Sequence, residues 1–454
     1  MTRPATARDA STARRTRPAL GVAMLGFFVV ALDAQVVNVA LPDIRDSLGG
    51  GLSGLQWVVT IYTLMFSALL LFAGTLADRV GAHRAYGAGM ALFVAASAAC
   101  GFAPTLPVLI AARLVQGVGA ALITPTSLAL IREAYTDPTR RARAIALWAM
   151  GGSVAAAAGP VVGGALTEVD WRLIFFINLP VGAAALALLC RVTGSPRRPH
   201  PFDWVGQVSA ILALAAATFA VIEGGSHGYG DPLILAAIVL ALFAGAVFVQ
   251  SQRRGPHPMV PPTLFRPPVV IVTLVVAFVA MAAFYGVVFV QSLYFQQQRG
   301  VTALVTGLLF LPMTGLVAAL NPVVARIAER FGRLLPIVAG QLGMAAGLVL
   351  LSVLPASAPL WLVAIAMIPV GVGGSFTVPP VTSLLLDAVP AKASGTASGV
   401  LNAARQMGGS LGVAVFGAVL ATASDFQSGL RIDLLVGALL LTFATVATWQ
   451  WHRA

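Results

Sequence analysis

Asp33 lies inside an apolar run, Leu20–Leu41, with Gln35, Asn38 and Pro42 beside it on the same predicted helix. Holding an ionised carboxylate at bilayer depth costs about 3 kcal/mol or more, so an acid kept there lines a cavity and carries protons, ions or cargo. Arg113 shares this placement. By helical rise it falls ~10 Å below the outer end of its predicted helix, and Asp33 falls ~20 Å from the inner end of its own. In a hydrocarbon core ~30 Å thick these depths coincide, which predicts that Arg113 lies near Asp33 or its proton path. The competing reading gives Arg113 only backbone carbonyls of a neighbouring helix. Arg405 sits ~16 Å into another predicted helix, with Asn402 and Gln406 within a turn and no acid on that helix. It either fastens the C-terminal part of the chain or contacts a substrate. Tyr62 and Tyr285, with Phe66, Phe289, Tyr294 and Trp148, are candidates for an aromatic cavity wall.

Composition decides what kind of element positions these groups. With 58% hydrophobic and 10% charged residues over 454 positions, the chain is too apolar for a soluble domain and reads as a polytopic membrane protein. A formal charge of +12 invites a nucleic-acid reading, but the arginines sit in short loops between apolar runs and form no basic folded face. The single lysine, Lys392, follows Ala391, so a phosphate-cradling G-x-x-x-x-G-K-[ST] loop is impossible and ATP is not the direct energy source. His83, His200, His227, His257 and His452 are scattered through predicted loops, and Cys100 and Cys190 lie singly in separate apolar runs. That pattern supports no metal, cofactor, disulfide or catalytic constellation, and the chain is not expected to be an enzyme.

Apolar runs of about twenty residues, the length a bilayer-crossing helix requires, are expected at 19–42, 55–77, 85–103, 106–131, 142–167, 171–191, 204–223, 232–250, 268–292, 302–327, 334–354, 359–386, 394–422 and 430–451. They lack the two-residue alternation of a transmembrane barrel, so the fold class is all-α with fourteen spanning helices. Numbering the loops puts Arg3, Arg8, Arg14, Arg15, Arg17, Arg79, Arg84, Arg132, Arg140, Arg141 and Arg143 on one side. The same side receives Arg191, Arg197, Arg198, Arg253, Arg254, Arg266, Arg326, Arg330, Arg333, Lys392 and Arg453, and the other only Arg45, Arg172, Arg299 and Arg431. The positive-inside rule then makes both termini cytoplasmic in a plasma-membrane protein. The N-terminal segment lacks a cleavage signal, so the first helix is expected to be retained.

The chain repeats itself. Gly74-Thr-Leu-Ala-Asp78-Arg79-Val-Gly81 is echoed by Ala325-Arg-Ile-Ala-Glu329-Arg330-Phe-Gly332, and Gly117-Val-Gly-Ala-Ala-Leu-Ile-Thr-Pro125 by Gly371-Val-Gly-Gly-Ser-Phe-Thr-Val-Pro379. Both pairs are separated by eight predicted helices, which implies two six-helix bundles with two helices between them, a 6+2+6 arrangement around a central cavity. The expected units are a tail at 1–18, a bundle at 19–192, two linker helices within 193–258 and a second bundle at 259–454.

At these residues a family resemblance becomes specific. The loop Gly74–Arg84 resembles the signature that follows the second helix of the major facilitator superfamily, and Arg113-Leu-Val-Gln116-Gly117-Val-Gly119 resembles its fourth-helix motif. Gly151 to Gly164, ending Gly159-Pro160-Val-Val-Gly163-Gly164, is similar to the antiporter motif of exporters. Leu32-Asp33 through Asn38 to Pro42, Trp171-Arg172 with Asn178-Leu-Pro180, and Asn402-Ala-Ala-Arg405-Gln406 resemble the fourteen-helix drug:proton antiporters. The resemblance implies that Asp78 latches onto the start of the helix near Ser394, although Ala82 and His83 replace two family basic positions and leave Arg84. It implies a coupling role for Arg113 and a hinge at Gly159, Pro160, Gly163 and Gly164, with Ala155 standing where the family has a further glycine.

The function expected is proton-driven export of small amphipathic compounds such as drugs or antibiotics, with Asp33 and Arg113 coupling the proton. Gln35, Asn38, Tyr62, Tyr285, Asn402, Arg405 and Gln406 would line the substrate cavity. The loops at Gly74, Asp78, Arg79, Gly81 and Arg84, and at Glu329, Arg330 and Gly332, would gate it. With Asp33 taken as the only deep acid, substrates of one positive charge or none are expected. The partners are the cargo, protons and lipid, with no nucleic acid, and the family works as a monomer. Proton-coupled nutrient uptake and a non-transporting membrane sensor or assembly subunit are the alternatives.

Overall fold

The computed structural model describes residues 7–197, 201–390 and 393–453. Expectations placed on Arg3, Arg198, His200 and Lys392 lie outside the described residues, as do those on the side chains of Arg8, Arg14, Arg15, His452 and Arg453. The described residues form helices and no strand. The helices are α1 (Ala7–Leu48), α2 (Leu52–Val80), α3 (Ala82–Gly101), α4 (Leu106–Ala134), α5 (Pro138–Thr167), α6 (Leu173–Phe176), α7 (Asn178–Leu189), α8 (Trp204–His227) and α9 (Pro232–Arg254). After them come α10 (Pro268–Leu293), α11 (Ala303–Phe331), α12 (Leu334–Val353), α13 (Leu360–Ala388), α14 (Ser394–Thr422) and α15 (Phe426–Arg453).

Twelve of the described helices are long and apolar enough to cross a membrane. The two other expected spans have identifiable departures. α3 is 20 residues long but opens with His83 and Arg84, and the stretch at 171–191 is divided into α6 and α7 at Ile177. Several helices also outrun their apolar runs, α1 beginning at Ala7 where 19 was expected. Hydropathy marks only the lipid-facing stretch of a helix, whose backbone bonds continue into the polar region.

Packing repeats as the motifs do. α1 packs on α5, α4 and α7, α3 on α4 and α7, and α2 on α4. In the same pattern α10 packs on α14, α13 and α15, α12 on α13 and α15, and α11 on α13. The two sets meet through α2 against α14 and α5 against α11, while α8 pairs with α9 and lies on α2 and α14.

The apolar core is shared at only one end. At the arginine-poor end one cluster runs through both sets, from Val36, Leu41 and Val58 to Val287, Leu293, Phe310 and Val413. Polar contacts reinforce this join: Ser292 Oγ donates to the Asn38 carbonyl at 2.6 Å, Gln296 Nε2 to the Val39 carbonyl at 2.9 Å, and Gln56 Nε2 to the Ala414 carbonyl at 2.7 Å. Toward the arginine-rich end the core divides into a cluster around Tyr62, Tyr86 and Phe93 and a separate one around Val270, Val381 and Leu401.

Lipid offers no hydrophobic incentive for helices to associate, so close backbone approach at small residues supplies the packing. At Gly408 a Cβ would collide with the Phe278 backbone of α10, whereas at Gly245 on α9 it would meet open space. Gly408→Ala is therefore expected to lower the thermal midpoint of the purified protein, through an overpacking cost of about 1–3 kcal/mol. Gly245→Ala should leave the midpoint unchanged or raise it, since alanine is favoured over glycine inside a helix. Thermal denaturation of the two variants side by side checks both.

Candidate functional site

Asp33 on α1 is fully buried, and the Arg113 guanidinium on α4 closes on its Oδ2 as an ion pair. The other carboxylate oxygen accepts from Gln116 Nε2 and from Asn178 Nδ2, each at 2.8 Å. Arg113 also donates from Nε to the Val58 carbonyl at 3.2 Å and from Nη1 to Gln116 Oε1 at 2.8 Å. Its guanidinium lies over the Tyr62 ring at 4.2 Å. Tyr62 in turn donates its hydroxyl to the Val30 carbonyl at 3.2 Å. Ser97 on α3 accepts from Gln116 and Asn178 and passes its own proton to the Phe175 carbonyl at 2.9 Å.

The network thus draws on α1, α2, α3, α4, α6 and α7, and Asp33, Ser97, Gln116 and Asn178 have no solvent exposure. An ion pair in such a place holds only when its remaining donors and acceptors are filled, because desolvating the charges costs several kcal/mol per ion. Helical spacing explains the second donor: Gln116 lies three residues after Arg113, on the same face of α4. Asn178 reaches the carboxylate from the first position of α7.

Depth reasoning from sequence brings Arg113 to Asp33, and the two residues are in contact. Ser97 and the bonds of Gln116 and Asn178 were missed as site features, although Gln116 and Asn178 stand within the motifs quoted above. A second deep acid was missed entirely. Asp433 lies about 10 Å into α15, fully buried, with neither carboxylate oxygen hydrogen-bonded. The expectation that Asp33 is the only deep acid is therefore corrected. Placing the last span at 430–451 put Asp433 at its rim, whereas α15 begins at Phe426.

The other expected site residues do not surround Asp33. Gln35 and Asn38 are buried nearer the joined end, with Gln35 Oε1 and Asn38 Oδ1 unpartnered. Gln35 packs against Gly159 of α5. Tyr285, Asn402, Arg405 and Gln406 form a half-buried group on α10 and α14. Arg405 Nη1 reaches Asn402 Oδ1 at 3.5 Å, and its Nε has no partner. Tyr62 lies within electrostatic range of Asp33, Arg113 and Tyr285, and Tyr285 within range of Arg405, so the two groups face each other across the two sets of helices.

At the arginine-rich end, Asp78, Arg79 and Arg84 are exposed, and Gly74 is half-buried. Gly81 turns the chain at φ +94°, a conformation that favours glycine. Among the described residues Asp78 has no hydrogen bond or ion pair, so the contact to the start of α14 is not made in this conformation. The loop is held instead by Ser195, whose Oγ accepts from the His83 amide at 3.0 Å and donates to Glu133, and Arg79 lies over Phe202. In the second loop Glu329 and Arg330 are exposed, Gly332 turns the chain, and the neighbouring Arg333 pairs with Asp387. Gly159, Pro160, Gly163 and Gly164 are buried in α5, where Gly163 abuts the Val36 backbone of α1 and Gly164 the backbone of α11 at Ala303.

Comparison with known proteins matches this chain to the Major Facilitator Superfamily over residues 23–413 and 321–451. It is 40% identical to the "Multidrug resistance protein Stp" of Mycobacterium tuberculosis, over 87% of this chain and 74% of that one. It is 37% identical to the "Methylenomycin A resistance protein" of Streptomyces coelicolor, over 94% and 90% of the two chains. With the "Tetracenomycin C resistance and export protein" of Streptomyces glaucescens it shares 32% identity, over 90% and 76%. Among solved structures, a POT family transporter bound to a thioalcohol-conjugated peptide superposes with a TM-score of 0.71 at 14% identity, covering 95% of this chain and 96% of that one. A bacterial homologue of the lysosomal transporter Spinster gives 0.67 at 15%, with 97% of each chain covered. Structural likeness at such identities establishes the fold, and the sequence matches establish the lineage: the chain belongs to the Major Facilitator Superfamily and is a membrane transporter, not an enzyme.

Proposed function

We propose that this protein is a proton-coupled exporter of small amphipathic compounds, such as drugs or antibiotics, working by alternating access. The observation that carries the reading is the Asp33–Arg113 pair, a titratable group buried with its counter-charge inside the first set of helices. The relatives' names, which speak of drug resistance and export, support the direction and kind of cargo. We read the architecture as fourteen crossings in a 6+2+6 order, counting α3 and the broken α6–α7 as spans. Apart from the first residues of α1, which start at Ala7, helices α1–α7 then fall within 19–192, α8 and α9 within 193–258, and α10–α15 within 259–454. By the positive-inside rule we read the arginine-rich end and both termini as cytoplasmic in a plasma-membrane protein, and the unit as a monomer.

On this orientation the conformation is joined outside and divided inside, with Asp33 deprotonated and paired. Cargo enters from the cytoplasm between the two sets, against Tyr62, Tyr285, Asn402, Arg405 and Gln406, with Gln35 and Asn38 toward the outer join. Once the outside has opened, a proton neutralises Asp33 and releases Arg113, which keeps its Val58 and Gln116 acceptors and the Tyr62 face. The protonated carrier returns inward, where proton loss restores the pair. Gly159, Pro160, Gly163 and Gly164 permit α5 to shift against α1 and α11. Asp78 docks on α14 only when the cytoplasmic ends close, which matches its free state here, and the loop at Glu329, Arg330 and Gly332 serves the other set. Energy comes from the proton gradient and not from ATP.

A sensitive host expressing the protein should tolerate higher concentrations of amphipathic antibiotics, and a protonophore should remove that gain. Acid-driven accumulation in vesicles of known orientation would mark the protein as an uptake system instead. Asp33→Asn should insert and fold, yet fall to background in gradient-driven export; undiminished uphill export by this variant excludes the assigned role. Arg113→Leu strands a buried carboxylate and should cost about 3–5 kcal/mol of stability. Adding Asp33→Asn to it should recover most of that loss, as read by thermal denaturation of the purified variants.

A further inference from the structure

Two arginines lie deep in apolar stretches of the described helices, Arg113 about 10 Å into α4 and Arg405 about 16 Å into α14. Their surroundings are opposite. Arg113 has a carboxylate, a backbone carbonyl, an amide oxygen and an aromatic face. Arg405 has one long contact to Asn402, and its Nε is shielded from solvent without an acceptor.

No acid on the helices around α14 supplies the missing charge. Asp78 is exposed at the end of α2, Glu223 of α8 accepts the Trp57 indole N–H at 2.7 Å, and Asp387 of α13 pairs with Arg333. Asp433 of α15 is hydrogen-bonded to nothing, and α10 carries no acid. Asp33 is neutralised by Arg113. Among the described residues, the polar surface between the two sets therefore presents an unpaired positive charge and no unpaired negative one, the reverse of what Asp33 suggested when considered alone.

We infer that the cargo is an amphipathic organic anion whose carboxylate is received by Arg405, with Tyr285 and Asn402 beside it. This rests on the export reading and names the chemical class of its cargo. A guanidinium offers a planar fork that fits a carboxylate in two parallel hydrogen bonds, stronger than neutral ones and absent from this site until a ligand brings the oxygens. The half-buried Tyr285 ring supplies the apolar wall for the body of such a molecule.

The test is ligand binding, which does not depend on transport. Purified full-length protein in lipid nanodiscs is titrated with 1-pyrenebutyrate, 1-pyrenebutanol and 1-pyrenemethylammonium, with binding to empty nanodiscs subtracted. The carboxylate is expected to bind about tenfold or more tightly than the alcohol, and the cation least well. Arg405→Gln should erase the preference for the carboxylate while leaving the affinity for the alcohol unchanged, and Arg405→Lys should keep part of it because charge remains but the fork is lost. Equal affinities, a preference for the cation, or an unaltered ranking in Arg405→Gln overturns the inference. If Arg405→Gln fails to fold, the wild-type ranking and Arg405→Lys still decide. Export of cations alone would defeat this inference and spare the export reading, whereas carboxylate binding without gradient-driven export would do the reverse.

Discussion

Everything in the first set of helices is arranged around one electrostatic constraint: a carboxylate and a guanidinium removed from water must satisfy each other and every remaining lone pair and proton. Asp33 and Arg113 meet it with amide donors from Gln116 and Asn178 and with the Val58 carbonyl as acceptor, drawn from four helices. Such a network is stable only when complete. A proton on Asp33 would change the balance of the whole cluster at once, which is what a switch between two packings requires.

One apolar cluster unites the sets at the arginine-poor end, while the opposite end keeps two cores apart. Glycines let α5 lie against both α1 and α11, which ties the helix carrying Asp33 to the contact between the sets. In the proposed cycle the charge pair and the joined end are two ends of one lever. Between the Asp33–Arg113 pair and Arg405 stand the rings of Tyr62 and Tyr285.

Much of this was legible in the sequence because helical rise is fixed. Depth along the helix brought Asp33 and Arg113 together, and repeated motifs anticipated the matching packing of α1–α7 and α10–α15. Rotation about each helix axis was not legible, since apolar residues surround these helices on all sides and no amphipathic stripe marks the inward face. For that reason Ser97 went unseen, Gln35 and Asn38 were grouped with residues they do not adjoin, and the charge of Arg405 could not be matched to a partner. Asp433 was lost to a boundary error of a few residues.

The most direct test of the account is proton flux per molecule of exchanged substrate, read with an internal pH indicator in proteoliposomes holding wild type or Asp33→Asn. The account predicts proton movement coupled to export in the wild type, and substrate exchange without proton movement in the variant. Equal proton movement in both proteins would contradict it, because the charge on Asp33 would then have no part in the coupling.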